Sequence, residues 1–205
     1  MSEQGTTQWF QDRWGRVTAS RVADVVAKTK SGYSASRDNY MAQLVCERMT
    51  GTPAESFSNA AMAWGTEQEP FARAAYEAKK DVLVDQVGFI HHPSIDGAGA
   101  SPDGMVGDDG LIEIKCPLTK THLKWVMADK PAQEYVNQMM WQMACTGRSY
   151  VDFVSYDPRL PVDLELFVAR LERDEEYIQL ITDEVIKFDN EVTQLVNKLK
   201  ELRNV

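Results

Sequence analysis

Asp103, Glu113 and Lys115 have the residue types and the spacing of a reaction centre, all within Ser101 to Pro117, SPDGMVGDDGLIEIKCP. In an extended strand, residues two apart point to the same face. Glu113 and Lys115 therefore share one face of LIEIKC, and Ile112 and Ile114 enter the core on the other. A carboxylate and an ammonium beside a core are costly unless something compensates them. Asp103 ends the preceding strand, and a hairpin through GMVGDDG would bring its carboxylate near that of Glu113. Two carboxylates held close repel, and a bound cation resolves the conflict. Oxygen-only ligands favour Mg²⁺, or Mn²⁺, over zinc. Mg²⁺ takes one or two carboxylates and leaves its other positions to water and substrate phosphate, an arrangement suited to phosphodiester hydrolysis. The ion lowers the pKa of its water, and a second ion can stabilise the leaving oxygen. Lys115 can then hold the attacking water and offset growing negative charge. It is a poor general base, because an unperturbed lysine titrates near ~10.4. An ordinary Glu-Lys pair on a solvent-facing hairpin remains an open reading of these residues alone. A calcium loop is excluded, since the positions that should alternate as ligands after the aspartate are Met105 and Gly107.

These residues need a scaffold, and the pattern around them supplies one. Thr18 or Ser20 can cap a short helix carrying Val22, Val25 and Val26. A second helix is expected from about Ser36 to Met49, stopped by Gly51. Asn59 can cap a third that reaches Lys79. The segments DVLVDQVGFIHH, GAGASPDGMVG and LIEIKC are short apolar runs broken by Gly, Asp and Pro, which predicts three successive strands. Helical periodicity returns from Thr119 to Thr146, interrupted near Lys130-Pro131. SYVDFVSYD and VDLELFVARL form a strand pair around an Asp-Pro turn. From Asp174, Tyr177, Ile181, Val185, Phe188, Val192, Leu195, Leu199 and Leu202 mark one apolar stripe on a long helix. The expectation is an α/β class: a central mixed sheet flanked by helices, a helical N-terminal part and a long C-terminal helix, in a single domain over residues 1–205.

Composition narrows the function. No run of apolar residues is long enough for a membrane span, and no basic-then-apolar leader opens the chain. Cys46, Cys116 and Cys145 lie far apart and form no paired motif, so a disulfide framework or thiolate zinc site is not expected and a reducing cytoplasm is. A net charge of −9 argues against indiscriminate coating of nucleic acid. Yet between Arg13 and Arg37 lie six basic residues, Arg13, Arg16, Arg21, Lys28, Lys30 and Arg37, against one acid, Asp24. From Asp157 onward, 12 acids face 7 bases. A local basic patch on an acidic body suits a grip on one end of a polyanion; a solvated helix face is the other reading.

At this point the residues resemble a family. SPDG followed by IEIKCP is similar to the metal-binding core of PD-(D/E)xK nucleases, and in detail to lambda-type phage recombination exonucleases. Four further pieces stand in the same order: DRWGRVTAS, AMAWGTEQE, YVNQMMWQMACTG and SYDPR. The resemblance implies a restriction-endonuclease-like core that digests double-stranded DNA from its 5′ ends to expose 3′ single strands. It implies that Asp103, Glu113 and the backbone carbonyl of Ile114 hold Mg²⁺, two ions per site. Lys115 and Gln138 would orient and stabilise, with Glu69 assisting. Arg13 and Ser20 would hold the 5′-phosphate, with Lys30 as a further basic contact; the physics agrees, since a hydroxyl at a helix N-terminus beside a guanidinium suits phosphate. A ring-shaped homotrimer and a single-strand-annealing partner are also implied.

The same pieces carry plainer readings. Gly65 inside a helix costs roughly 1 kcal/mol against alanine, so it should mark close packing against another element. Met62 sits where an apolar wedge would part the DNA end, although a core role is the more ordinary expectation. Glu67 is surface charge. Tyr135, Gln138 and Gln142 share a helix face and need polar partners. His91, His92 and His122 have no metal-ligand spacing, and Thr121 stands where a further basic contact is expected, with Lys120 and Lys124 beside it. Two rival functions remain: a site- or structure-specific endonuclease on the same core, and a non-catalytic DNA-end binding module docking through its C-terminal helix.

Overall fold

Proline decides where the sheet divides. Pro102 has no N–H to give to a ladder, and the chain changes sheets on either side of it. In the computed structural model, which describes residues 3–53, 59–130 and 133–203, β5 (Ile90–His91) and β6 (Ala98–Ala100) join β1 (Val17–Thr18) in a small sheet. After Ser101-Pro102, β7 (Gly104–Val106) and β8 (Gly110–Lys115) belong to a five-stranded sheet with β4 (Val84–Asp85), β9 (Tyr150–Tyr156) and β10 (Leu166–Glu172). That sheet is mixed, in the order β10-β9-β8-β7-β4, with β8 and β9 parallel and the other neighbours antiparallel. The first two expected strands are thus each two short ones. β2 (Lys28–Thr29) and β3 (Gly32–Tyr33) form a separate hairpin.

The helices follow from capping and amphipathicity. They are α1 (Thr7–Arg13), α2 (Val22–Val26), α3 (Ala35–Thr50), α4 (Ala60–Lys80), α5 (Thr119–Ala128), α6 (Gln133–Thr146) and α7 (Glu175–Arg203). Asn59 accepts from the Met62 N–H to start α4, and Gly51, at φ 66°, ends α3 in the left-handed region that glycine tolerates. α5 ends at Ala128, with Asp129 in the left-handed region at φ 51°; Pro131, near which the break is expected, lies outside the described residues. Neither Thr18 nor Ser20 caps α2: Arg21 is its N-cap, without a side-chain hydrogen bond, and Ser20 lies in a single 3-10 turn at Ala19–Arg21. Among the described residues no helix is long and apolar enough to cross a membrane.

Two apolar clusters sandwich the large sheet, and β8 feeds both. Leu111 joins α6, α7 and the N-terminal helices; Ile112 and Ile114 join Ala72 and Tyr76 of α4 on the opposite face. On α7 the buried positions are Ile178, Ile181, Val185, Phe188, Val192 and Val196, each contributing about 1.5–3 kcal/mol by burial. Leu195 and Leu202, expected in the stripe, are 37% and 65% exposed. A straight helix has 3.6 residues per turn, so a strict seven-residue repeat drifts off the contact face by about 20° per heptad.

Candidate active site

The turn between β7 and β8 brings Asp103 to Glu113 and Lys115. The Asp103 N–H donates to the Ile112 carbonyl at 3.2 Å, extending the hairpin ladder, and its Oδ2 accepts from the Ile114 N–H at 2.6 Å. The carboxylate is thereby fixed beside the C-terminal end of β8. Glu113, 1% exposed, points to the α6 side of the sheet with Lys115. Its Oε1 accepts from Lys115 Nζ and from Gln138 Nε2 at 2.6 Å; its Oε2 accepts from Gln142 Nε2 at 2.5 Å. Lys115 Nζ also lies 5.1 Å from the centre of the Tyr135 ring.

Electrostatics makes a second negative charge in this cluster costly. Burial first, then the charge of Glu113, pushes the Asp103 carboxyl well above the usual range, against the pull of Lys115; Glu69 adds to the rise. Burial opposes the charge on Lys115, but Glu113 and Asp103 outweigh it and its pKa is raised, so the ammonium stays charged. Across the cleft stands α4. Met62, Gly65, Thr66 and Glu69 line a space of about 470 Å³ with Asp103, Ile114 and Lys115. Glu69 is paired with Arg73 at 2.6 Å. Among the described residues no group of three or more His, Cys, Asp or Glu forms a ready-made metal cage. Asp103 and Glu113 nonetheless fit the one or two carboxylates that Mg²⁺ takes when water and phosphate fill its other positions.

A second group lies beside Asp103. Arg13, last residue of α1, stacks 4.3 Å from the Trp9 ring centre and donates to Ser101 Oγ at 3.1 Å; Trp9 Nε1 donates to the same oxygen at 3.0 Å. Burial lowers the pKa of this arginine. Ser101 and Trp9 carried no signal in the sequence beyond their nearness to Asp103 and Arg13. Ser20 is exposed, and its hydroxyl lies 3.5 Å from that of Thr18. Lys30 is exposed in the β2–β3 turn, whose hairpin is tied to α7 by Lys28 and Tyr33, both bonded to Glu184.

Several expectations change. A Cβ on Gly65 would meet nothing within 4 Å among the described residues, so this glycine borders open cleft and is not there for close packing. Met62 is 54% exposed on the same wall, outside the core. SYDPR, to which no chemistry was assigned, clamps the end of β8: Arg159 bonds Asp157 and donates to the Pro117 carbonyl at 3.0 Å, with its guanidinium 4.9 Å from the Trp64 ring centre. His122 is buried between Ser155 Oγ at 2.8 Å and the Leu164 carbonyl at 2.9 Å, and His92 stacks on Trp141. Both are structural. Lys120, Thr121 and Lys124 border a separate groove on α5.

Residues 8–149 match the model of the YqaJ-like viral recombinase domain, a span that contains every residue of the cleft described above. Among solved structures, an alkaline exonuclease, LHK-Exo, from Laribacter hongkongensis is 53% identical, with 97% of this chain and 98% of that one covered and a TM-score of 0.92. The same exonuclease in complex with dAMP matches equally. A phage-related exonuclease from Haemophilus somnus 129PT shares the fold at 15% identity and a TM-score of 0.69, over 90% of this chain and 96% of that one. No curated protein matches.

Proposed function

The chain belongs to the YqaJ-like viral recombinase family and is a nuclease, and from that premise we propose a Mg²⁺-dependent exodeoxyribonuclease that digests double-stranded DNA from its 5′ ends. The observation that carries the reading is the placement of Asp103 and Lys115 on one cleft wall, with the buried Glu113 bonded to Lys115 and Glu69 also lining the cleft. Asp103, Glu113 and the Ile114 carbonyl would hold the ion, or two of them, with Mn²⁺ as a substitute. When bound, the ion supplies an acidified water and charge neutralisation at the scissile phosphate. Lys115, charged, orients that water and stabilises the transition state, while Gln138 holds the Glu113 oxygen it shares with Lys115. Glu69, which lines the same cleft, would help to position that water.

Arg13 and Ser101 favour a 5′-phosphate at the end of the digested strand. The Ser101 oxygen already accepts from Trp9 and Arg13, which leaves its own O–H to donate to an anion. Ser20 and Lys30 would contact the strand further out. Exposure of 3′ single strands suits a role in phage recombination with a single-strand-annealing protein, in the cytoplasm of a bacterial host. A ring-shaped homotrimer would hold DNA by enclosure, which reconciles processive digestion with an acidic chain.

The test is digestion of linear duplex labelled at the 5′ or the 3′ end, with and without Mg²⁺, beside closed circular duplex and the Lys115→Ala variant. Loss of the 5′ label first, only in Mg²⁺ and only from linear DNA, is expected. Cutting of closed circles would instead favour an endonuclease, and digestion by Lys115→Ala at the wild-type rate would remove the assignment.

A further inference from the structure

Gln142 is fully buried on α6 between Trp141 and Met143, with Met139 one turn away, where another methionine would be the ordinary choice. Its amide oxygen has no hydrogen-bond partner among the described residues. An orphaned buried acceptor costs about 1–3 kcal/mol, so the amide is in this position for what its other end does. That end donates to Glu113 Oε2 at 2.5 Å, while Gln138, one helical turn earlier, donates to Oε1 at 2.6 Å. The two amides take one carboxylate oxygen each. The terminal torsion of a glutamate is broad and roughly two-fold; a donor on each oxygen selects a single plane. Oε1 is then shared by Gln138 and by Lys115, itself a cleft-lining residue, and Oε2 is held by the fully buried Gln142.

We infer that Gln142 is a positioning residue that fixes the plane of the Glu113 carboxylate for divalent-cation binding, an inference that rests on the metal-dependent reading above. Gln138 alone leaves the carboxylate free to pivot about Oε1. Groups that orient a metal ligand from behind carry about 10–100-fold in metal affinity, and Gln142 acts in that way without touching water, ion or DNA.

Mn²⁺ binding to the full chain, measured by calorimetry without DNA, tests this. Gln142→Met keeps the volume and removes the donor, and its thermal unfolding in EDTA reports whether the fold is kept. Mn²⁺ affinity should fall about tenfold or more, and the Mg²⁺ concentration for half-maximal digestion should rise by the same factor. Glu113→Gln runs in parallel as the loss of the ligand itself. If Glu113→Gln loses Mn²⁺ while Gln142→Met binds like wild type, the positioning role is overturned and the metal site stands. If Glu113→Gln binds Mn²⁺ as tightly as wild type, the metal site fails and the inference fails with it. Should Gln142→Met not fold, Gln142→Asn, whose shorter amide cannot reach Glu113, must show the same loss; wild-type affinity there overturns the inference.

Discussion

Gly65→Ala should make this protein more stable and less active. Gly65 lies inside α4, where glycine costs about 1 kcal/mol relative to alanine. An added Cβ meets no described atom within 4 Å, so no clash offsets the gain in helix propensity. Stability should therefore rise by about 0.5–1 kcal/mol, or about 1–4 °C in Tm for a chain of this size. The same methyl would project into the space that Gly65 borders together with Asp103 and Lys115. There it would hold the DNA strand away from the carboxylates, and a misplacement of about 1 Å can cost on the order of 10²-fold in rate. Urea unfolding gives the first quantity, and initial rates on a 5′-phosphorylated duplex at several DNA concentrations give the second. Wild-type digestion by a stabilised variant would show that the strand does not approach α4 at this point. A destabilised variant would show that Gly65 is needed for packing after all.

Other outcomes test separate parts of the site. Ser101→Ala should cut the preference for 5′-phosphate over 5′-hydroxyl ends by about tenfold, the value of one charge-assisted hydrogen bond, and more than Ser20→Ala does, because Ser101 bonds Arg13; equal effects in paired end-substrate assays would exclude Ser101 from the phosphate seat. In EDTA, stability should fall as pH rises above about 4, because the Asp103 carboxyl is raised by burial and by Glu113. A folded state that holds a proton the unfolded chain has released is most stable below the unfolded pKa and loses that advantage as pH climbs toward the folded one. Asp103→Asn should flatten this slope in urea titrations run upward from about pH 4, and an unchanged slope would assign it to other groups. Arg170→Met removes bonds of 2.8 and 2.9 Å to Asp152, which is 1% exposed and otherwise held by the Tyr76 hydroxyl. Breaking a buried pair costs about 3–5 kcal/mol; with the arginine 44% exposed, about 2 kcal/mol is expected by urea unfolding, and a change below about 0.5 kcal/mol would mean Asp152 is satisfied without it.

What the sequence determined by itself was local. Strand alternation placed Glu113 and Lys115 on one face and Ile112 and Ile114 on the other, and caps at Asn59 and Gly51 set the ends of α4 and α3. Helical spacing put Gln138 and Gln142 together, because a three-to-four residue period needs no knowledge of the rest of the chain. The partners of those faces were decided only by the tertiary structure. That Ser101 and Trp9 meet Arg13 depends on α1 packing beside a strand end some 90 residues away. That Gly65 borders a cleft, and that Arg159 clamps the chain after Lys115, depends on how α4 and the β9–β10 connection lie against β8. Periodicity assigns a residue to a face of its own element. The contents of the space opposite that face are set by close packing of segments distant in sequence, and no pattern within a single segment encodes them.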